Sequence, residues 1–291
     1  MTRRRNGTGA LLSPWDPRNW RLDRATARQV AAQPEEFTEL KAWMNPLGYD
    51  QGFMPSCVGW SCKVSLEVQE DLQFRIVKGP SVSAWWIYQK ARELGELPDY
   101  IRGAYVHDAL KILRHVGATT ELCWPTPIKS SQVTPEPCET ADELAEQRKI
   151  LSYYRVDPFP EEIKAAIMGQ TLPTFYKGPT PVIAVIPVLT VFSDARDTGW
   201  VEDPPPDVPH RNLHAVNLIG WRVKDGKEYW QVQNSWGKDS GDDGIYYIPT
   251  ATYPIKEAWV VTLAEVKPAP EPKKTWWEAF IETIWKILGI H

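Results

Sequence analysis

The order of its sequence patterns predicts an α+β fold for this chain. Segments of helical period, several ending at glycine, come first, and short β-rich runs separated by Gly, Asp and Pro turns fill the part after residue 180. With 291 residues and 43% hydrophobic content, the chain has the material for a substantial core.

Residues 1–35 read as an N-terminal arm laid across a domain. Polar composition continues to about residue 45, with Trp15, Trp20 and Trp43 as anchors. Arg3, Arg4 and Arg5 give the chain a basic start, but the apolar patch Gly9 to Leu12 is too short for a secretory core. No signal peptide and no transmembrane segment is read, which implies cytoplasmic synthesis. The 33 basic and 37 acidic side chains leave a net charge of −4 without a basic block, so no nucleic-acid partner is expected. A peptide or protein is the expected partner.

From Val58 to Val68 apolar residues alternate with Gly59, Ser61, Lys63, Ser65 and Glu67, which by period alone is a half-buried strand. Helix is nonetheless expected. Val64, Val68 and Leu72 repeat every fourth residue, Ser56 is a suitable N-cap, and a run to about Arg75 is long for a strand. Ser81–Gly95 and His107–Gly117 are the next helices, each stopped by a glycine. ETADELAEQRKI and PEEIKAAIMGQ follow, with acidic first turns where the helix dipole favours them. PVIAVIPVL, HAVNLIGW, EYWQVQNSW, GIYYIP and AWVVTL are the strands.

Residues 36–266 are read as the folded domain and 267–275 as a Pro- and Lys-rich linker. Residues 276–291 are read as an amphipathic anchor helix, with Trp277, Phe280, Ile281, Ile284, Ile287 and Leu288 expected on one face. Docking to another protein or self-association is expected of it, with a membrane surface and packing on its own domain as lesser alternatives. Such an anchor suits a component of a larger assembly such as a virion.

The four cysteines, at 57, 62, 123 and 138, lack zinc spacing, so no metal and no cofactor is expected, nor a disulfide framework in a chain this long. Cys123 and Cys138 are either a pair formed in an oxidising compartment or two ordinary thiols. Cys57 differs because it opens a helix. A thiolate is stabilised in a first helical turn and beside an imidazolium, the two conditions that make a cysteine nucleophilic.

Among five histidines, His107 and His115 fall in a helix pattern as surface or interhelix side chains, His210 lies in a Pro-rich loop, and His291 ends the chain. His214 opens an apolar strand, a rigid mount for a general base. A structural role is the plainer reading of a lone histidine there, and His210 with His214 lacks a third metal ligand. The next strand runs into Asn234, giving the order Cys, His, Asn that marks papain-type enzymes, at slightly long spacing.

Three motifs resemble the papain-like cysteine peptidases, in the branch with bacterial and bacteriophage members. They are Gln51-Gly52 ahead of Ser56-Cys57, His214-Ala215-Val216 leading to Gly220-Trp221, and Asn234-Ser235-Trp236-Gly237 followed by Gly241 and Gly244. The likeness spans about residues 36 to 263. It implies a two-lobed fold, a helical lobe and a barrel-like β lobe with the site in the cleft between them. It also implies Cys57 as nucleophile, His214 as proton acceptor, Asn234 as the group orienting the imidazole, and Gln51 with the Cys57 N–H as oxyanion donors. Trp236 would cover the Asn–His hydrogen bond and Ser56 would support the nucleophile. Val58, Pro55 and Ser240 depart from the family pattern without removing a catalytic group, and no Gly-Gly cleft motif follows the Cys57 helix. With 56 residues ahead of Cys57, the long inhibitory propeptide of the family is not expected here, and the arm before residue 36 is a candidate cover for the cleft. Two other functions are compatible with the same residues, a non-catalytic adaptor that binds through the cleft and an amidase acting on cell-wall peptides.

Overall fold

The computed structural model describes residues 7–22, 33–45, 47–74, 81–133, 136–170, 172, 178–206 and 212–263. The 267–275 linker and 276–291 helix lie outside them, as do His210 and His291. Helix α1 is Cys57–Phe74, α2 is Ala84–Leu94 and α3 is Val106–His115. Strand β1, Ala10–Leu11, belongs to the N-terminal arm and pairs in parallel with β2, Ala104–Tyr105. Helices α4 (Ala141–Glu146), α5 (Pro160–Ile167) and α6 (Thr190–Asp194) are shorter. The remaining strands are β3 (Ile150–Val156), β4 (Val182–Pro187), β5 (Leu213–Lys224), β6 (Lys227–Gln233), β7 (Ile245–Pro249) and β8 (Glu257–Leu263). They form one antiparallel sheet in the order β3-β8-β4-β5-β6-β7.

Helix α1 has a core on each side, and this explains its strand-like alternation. Cys57, Val58, Cys62 and Leu66 pack into a helical cluster with α2 and α3, whereas Trp60, Val64 and Val68 belong to a second cluster with the sheet. A helix with apolar groups on two flanks need not show the single stripe of a surface helix. Strand β4 is buried on both faces in the same way. Val182, Ala184 and Ile186 enter one cluster while Ile183 and Val185 enter the other, so the strand reads as a continuous apolar run.

Gly59 sets the approach of α1 to α2. A methyl group on its Cα would lie 2.1 Å from the Ala84 carbonyl oxygen and 3.2 Å from the Tyr88 Cβ. Because the nearest obstacle is backbone, Gly59→Ala must push the helices apart. It should cost about 1–3 kcal/mol, as overpacking does, and lower the urea midpoint at an unchanged slope.

Three details differ from the sequence expectation. The Ser56 hydroxyl is buried without a hydrogen-bond partner; only its carbonyl starts α1, accepting from the Trp60 N–H at 3.1 Å. The next helix is capped as a serine should cap, with Ser83 Oγ accepting from the Trp86 N–H at 3.1 Å. The helix expected across ETADELAEQRKI ends at Glu146, and Ile150 already belongs to β3. His107 is buried, not on the surface: its ring stacks on Trp259 at 5.5 Å and meets the Tyr153 hydroxyl at 3.3 Å. Of the two readings left open for Cys123 and Cys138, the structure has the pair: they form a disulfide, while Cys57 and Cys62 are free and buried. Among the described residues, no helix is long and apolar enough to cross a membrane.

Candidate active site

Cys57 is the first residue of α1, so the unpaired N–H groups of a helix start lie around it. The backbone N–H groups of Ala215, Gly9 and Val58 face its sulfur. Complete burial nevertheless dominates, pushing the thiol up to about 11.

His214 is the second residue of β5, paired across the sheet with Ile186 and adjacent to Ala215. The strand is tied to α1 by Asn217, whose side-chain amide donates to the Ser61 carbonyl at 3.1 Å and the Ser65 hydroxyl at 2.8 Å. This link holds His214 at a fixed distance from the helix that carries Cys57. The His214 Nε2 bonds the Asn234 Oδ1 at 2.8 Å. An amide oxygen only accepts, so Nε2 carries the hydrogen and Nδ1 is the free base. Nδ1 is buried and without a hydrogen-bond partner. Desolvation lowers the imidazole to about 4, although the Asn234 bond opposes the shift. The buried thiol and imidazole are therefore both neutral near pH 7.

Asn234 follows the last residue of β6, and its Oδ1 also accepts from the Ser235 N–H at 2.8 Å. The Trp236 ring lies 5.2 Å from the imidazole, tilted by 31°. Phe192 in turn meets Trp236 edge-on at 5.4 Å, which fixes the indole in place. Gln51 stands on a loop stitched to this segment: its N–H donates to the Ser235 carbonyl at 2.9 Å, and its Oε1 accepts from the Ser235 hydroxyl at 2.5 Å. Its Nε2 donates to Met54 O at 2.7 Å and Gly7 O at 3.0 Å. The turn after it requires glycine. Gly52 has φ +55°, and a Cβ there would sit 2.3 Å from the Ile128 carbonyl oxygen.

The structure thus gathers Gln51, Cys57, His214, Asn234 and Trp236 where the two core clusters meet, and adds groups that the sequence reading passed over. Ser235 lies within the quoted Asn-Ser-Trp motif and Asn217 within the His strand, so both were visible as polar residues amid apolar ones. Phe192 carried no signal. Among the described residues, no group of His, Cys, Asp and Glu is arranged to hold a metal ion.

A two-lobed α+β protein with cysteine, histidine and asparagine converging where its lobes join is the class these features define. The chain belongs to the papain family of cysteine proteases, whose family model matches residues 100–261, more than half of it. That match includes His214 and Asn234 and starts beyond Gln51 and Cys57. Cysteine proteinase 2 of Zea mays is 36% identical over 66 residues, 23% of this chain and 18% of its own length. Cathepsin B-like protease 1 of Arabidopsis thaliana is 33% identical over 103 residues, 34% of this chain and 23% of its own. The chain therefore matches less than a quarter of the length of these curated relatives. Likeness of fold extends much further. Xylellain, a cysteine protease from Xylella fastidiosa, superposes with a TM-score of 0.73 at 20% identity, covering 91% of this chain and 98% of that one.

Proposed function

We propose that this chain is a cysteine peptidase that hydrolyses peptide bonds through a thioester acyl-enzyme, with Cys57 as nucleophile. The observation that carries the reading is the His214 imidazole, bonded through Nε2 to Asn234 and left with an unpartnered Nδ1 beside the strand residue whose N–H faces the Cys57 sulfur. A buried ring nitrogen without a partner is costly in a merely structural histidine and useful in a base.

In the first half-reaction the sulfur attacks the substrate carbonyl carbon and its proton passes to Nδ1 of His214. The Gln51 amide and the Cys57 N–H receive the oxyanion, and the amine leaves with the proton from Nδ1. Water then gives a proton to Nδ1 and adds to the thioester, and the sulfur departs and recovers that proton. Asn234 keeps the imidazole in the tautomer that leaves Nδ1 free, and Trp236 shields their hydrogen bond from water. Residues 36–266 constitute the peptidase domain, the substrate is a peptide or protein, and no cofactor takes part.

A thiol-directed peptidyl epoxide tests this. It is expected to label Cys57 stoichiometrically, far faster than a simple alkylating agent of similar reactivity, and to leave Cys57→Ala unlabelled. Equal rates for the two reagents would mean that the cleft does not recognise peptides and would favour an adaptor.

A further inference from the structure

The turn that carries the Gln51 amide is gripped from two sides. On one side Gln51 bonds Ser235 through its N–H and its Oε1. On the other, the Ile128 carbonyl accepts from the Phe53 N–H at 3.0 Å. Ile128 also closes on Gly52 so tightly that a Cβ there would lie 2.3 Å from its carbonyl oxygen and 2.7 Å from its Cβ. The Met54 N–H returns to the Gln51 carbonyl at 3.2 Å, so residues 51–54 shift as one piece. Ile128 itself belongs to the loop that the Cys123–Cys138 disulfide closes.

The two limbs of that loop are unequally held. The Trp124 carbonyl accepts from Ser83 Oγ at 2.6 Å and Thr126 Oγ1 accepts from the Trp85 N–H at 3.2 Å, which fixes the outgoing limb to the start of α2. On the returning limb, the described residues of 129–137 hydrogen-bond only within the loop. One of these bonds sets Ile128, whose N–H donates to the Gln132 Oε1 at 3.1 Å. The limb first meets the rest of the fold at Cys138, through the disulfide and through the Cys138 N–H, which donates to the Cys123 carbonyl at 3.0 Å.

We infer that the Cys123–Cys138 disulfide is a positioning device for the oxyanion donor, and that its reduction slows the chemical step. The inference rests on the oxyanion role proposed above for Gln51. Contact runs from the disulfide along the returning limb to Gln132 and Ile128, and from there to the turn that aims the amide. Once the bridge is cut, a single hydrogen bond closes the base of the loop, and Ile128 loses its fixed seat against Gly52 and Phe53. A displacement of about 1 Å at a catalytic group can cost about 100-fold in rate. Access to the bridge is one-sided, since Cys138 is exposed and Cys123 buried. A reagent thiolate attacks the Cys138 sulfur, and Cys123 leaves as a thiolate that takes up a proton. A second reagent thiolate then displaces Cys138, which is protonated in turn, so two electrons and two protons enter the chain while the reagent becomes a disulfide. Cys57 is already a free thiol and is left unchanged by the reductant. Full activity therefore requires opposite states at the two places, a thiol at 57 and a disulfide between 123 and 138.

The full chain with its disulfide intact is compared with the same chain after dithiothreitol, and with a double variant, Cys123→Ser with Cys138→Ser, that lacks the bridge without any reagent. On a fluorogenic peptide, well below the melting temperature of each form, kcat should fall by at least about tenfold with little change in KM. In the Gln51→Ala chain the same reduction should change kcat by less than about twofold, because the donor that the loop aims is gone, whereas a general loosening would slow both chains alike. Amide exchange followed residue by residue by NMR gives a readout independent of turnover. The Phe53 amide should exchange at least about tenfold faster after reduction, while the Trp60 amide in α1 keeps its protection. Unchanged kcat in an active chain, unchanged Phe53 exchange, or an equal loss in the Gln51→Ala chain would overturn the positioning role. Faster Phe53 exchange in a chain that turns over no peptide in either state would leave the brace standing and count against the proposed peptidase activity.

Discussion

Cys57→Ala and His214→Ala are each expected to lower kcat/KM on a fluorogenic peptide by at least about 10³-fold, and the double variant should lose little more than either single one. The reasoning is that the two side chains act as one unit. Without the sulfur there is no thioester for the imidazole to assist, and without the base the sulfur remains a neutral thiol. Losses that multiplied would mean independent contributions, contrary to a shared proton. The Asn234 bond predicts a further distinction. Asn234→Ala leaves both reacting atoms but frees the ring to rotate and exchange tautomers, so it should reduce kcat more than it changes KM. Burial pushes the thiol up to about 11 and the imidazole down to about 4 because both are desolvated.

What the sequence disclosed follows from where local chemistry and tertiary burial agree. The β4 to β8 strands were legible because each is a short apolar run between turn residues, and α3 because it ends near Gly117 with a single apolar face. Helix α1 was legible only against its own period, since two cores draw on its opposite flanks. Strand β3 escaped notice because its middle residues Tyr153, Tyr154 and Arg155 are only partly buried, which left no clean alternation. At the site, the residue types and their order pointed to Gln51, Cys57, His214 and Asn234. Distance along the chain could not reveal that Asn217 ties β5 to α1, nor that Phe192 backs Trp236. The disulfide could be named from the sequence only as one of two alternatives. Pairing depends on two loop positions meeting, with Cα atoms 4.9 Å apart, and no local pattern encodes that. Gly7 drew no reading and Gly9 only a place in an apolar patch, because their close packing is against backbone about 45 residues away.

Gln51→Ala isolates the oxyanion donor. The Gln51 Nε2 divides its donors between Met54 O and Gly7 O, and a substrate carbonyl that replaces Gly7 O receives the second of them. On a fluorogenic peptide kcat should fall by about 100- to 1,000-fold, the usual loss for one oxyanion donor, with KM changing far less. The substitution also leaves the buried Met54 carbonyl and Ser235 hydroxyl short of a partner, a penalty of about 1–3 kcal/mol in stability. A thermal melt recorded beside the kinetics separates that cost from the catalytic one, because a protein still folded at the assay temperature owes its slow chemistry to the lost donor. If kcat survives the change, the oxyanion is held by other groups.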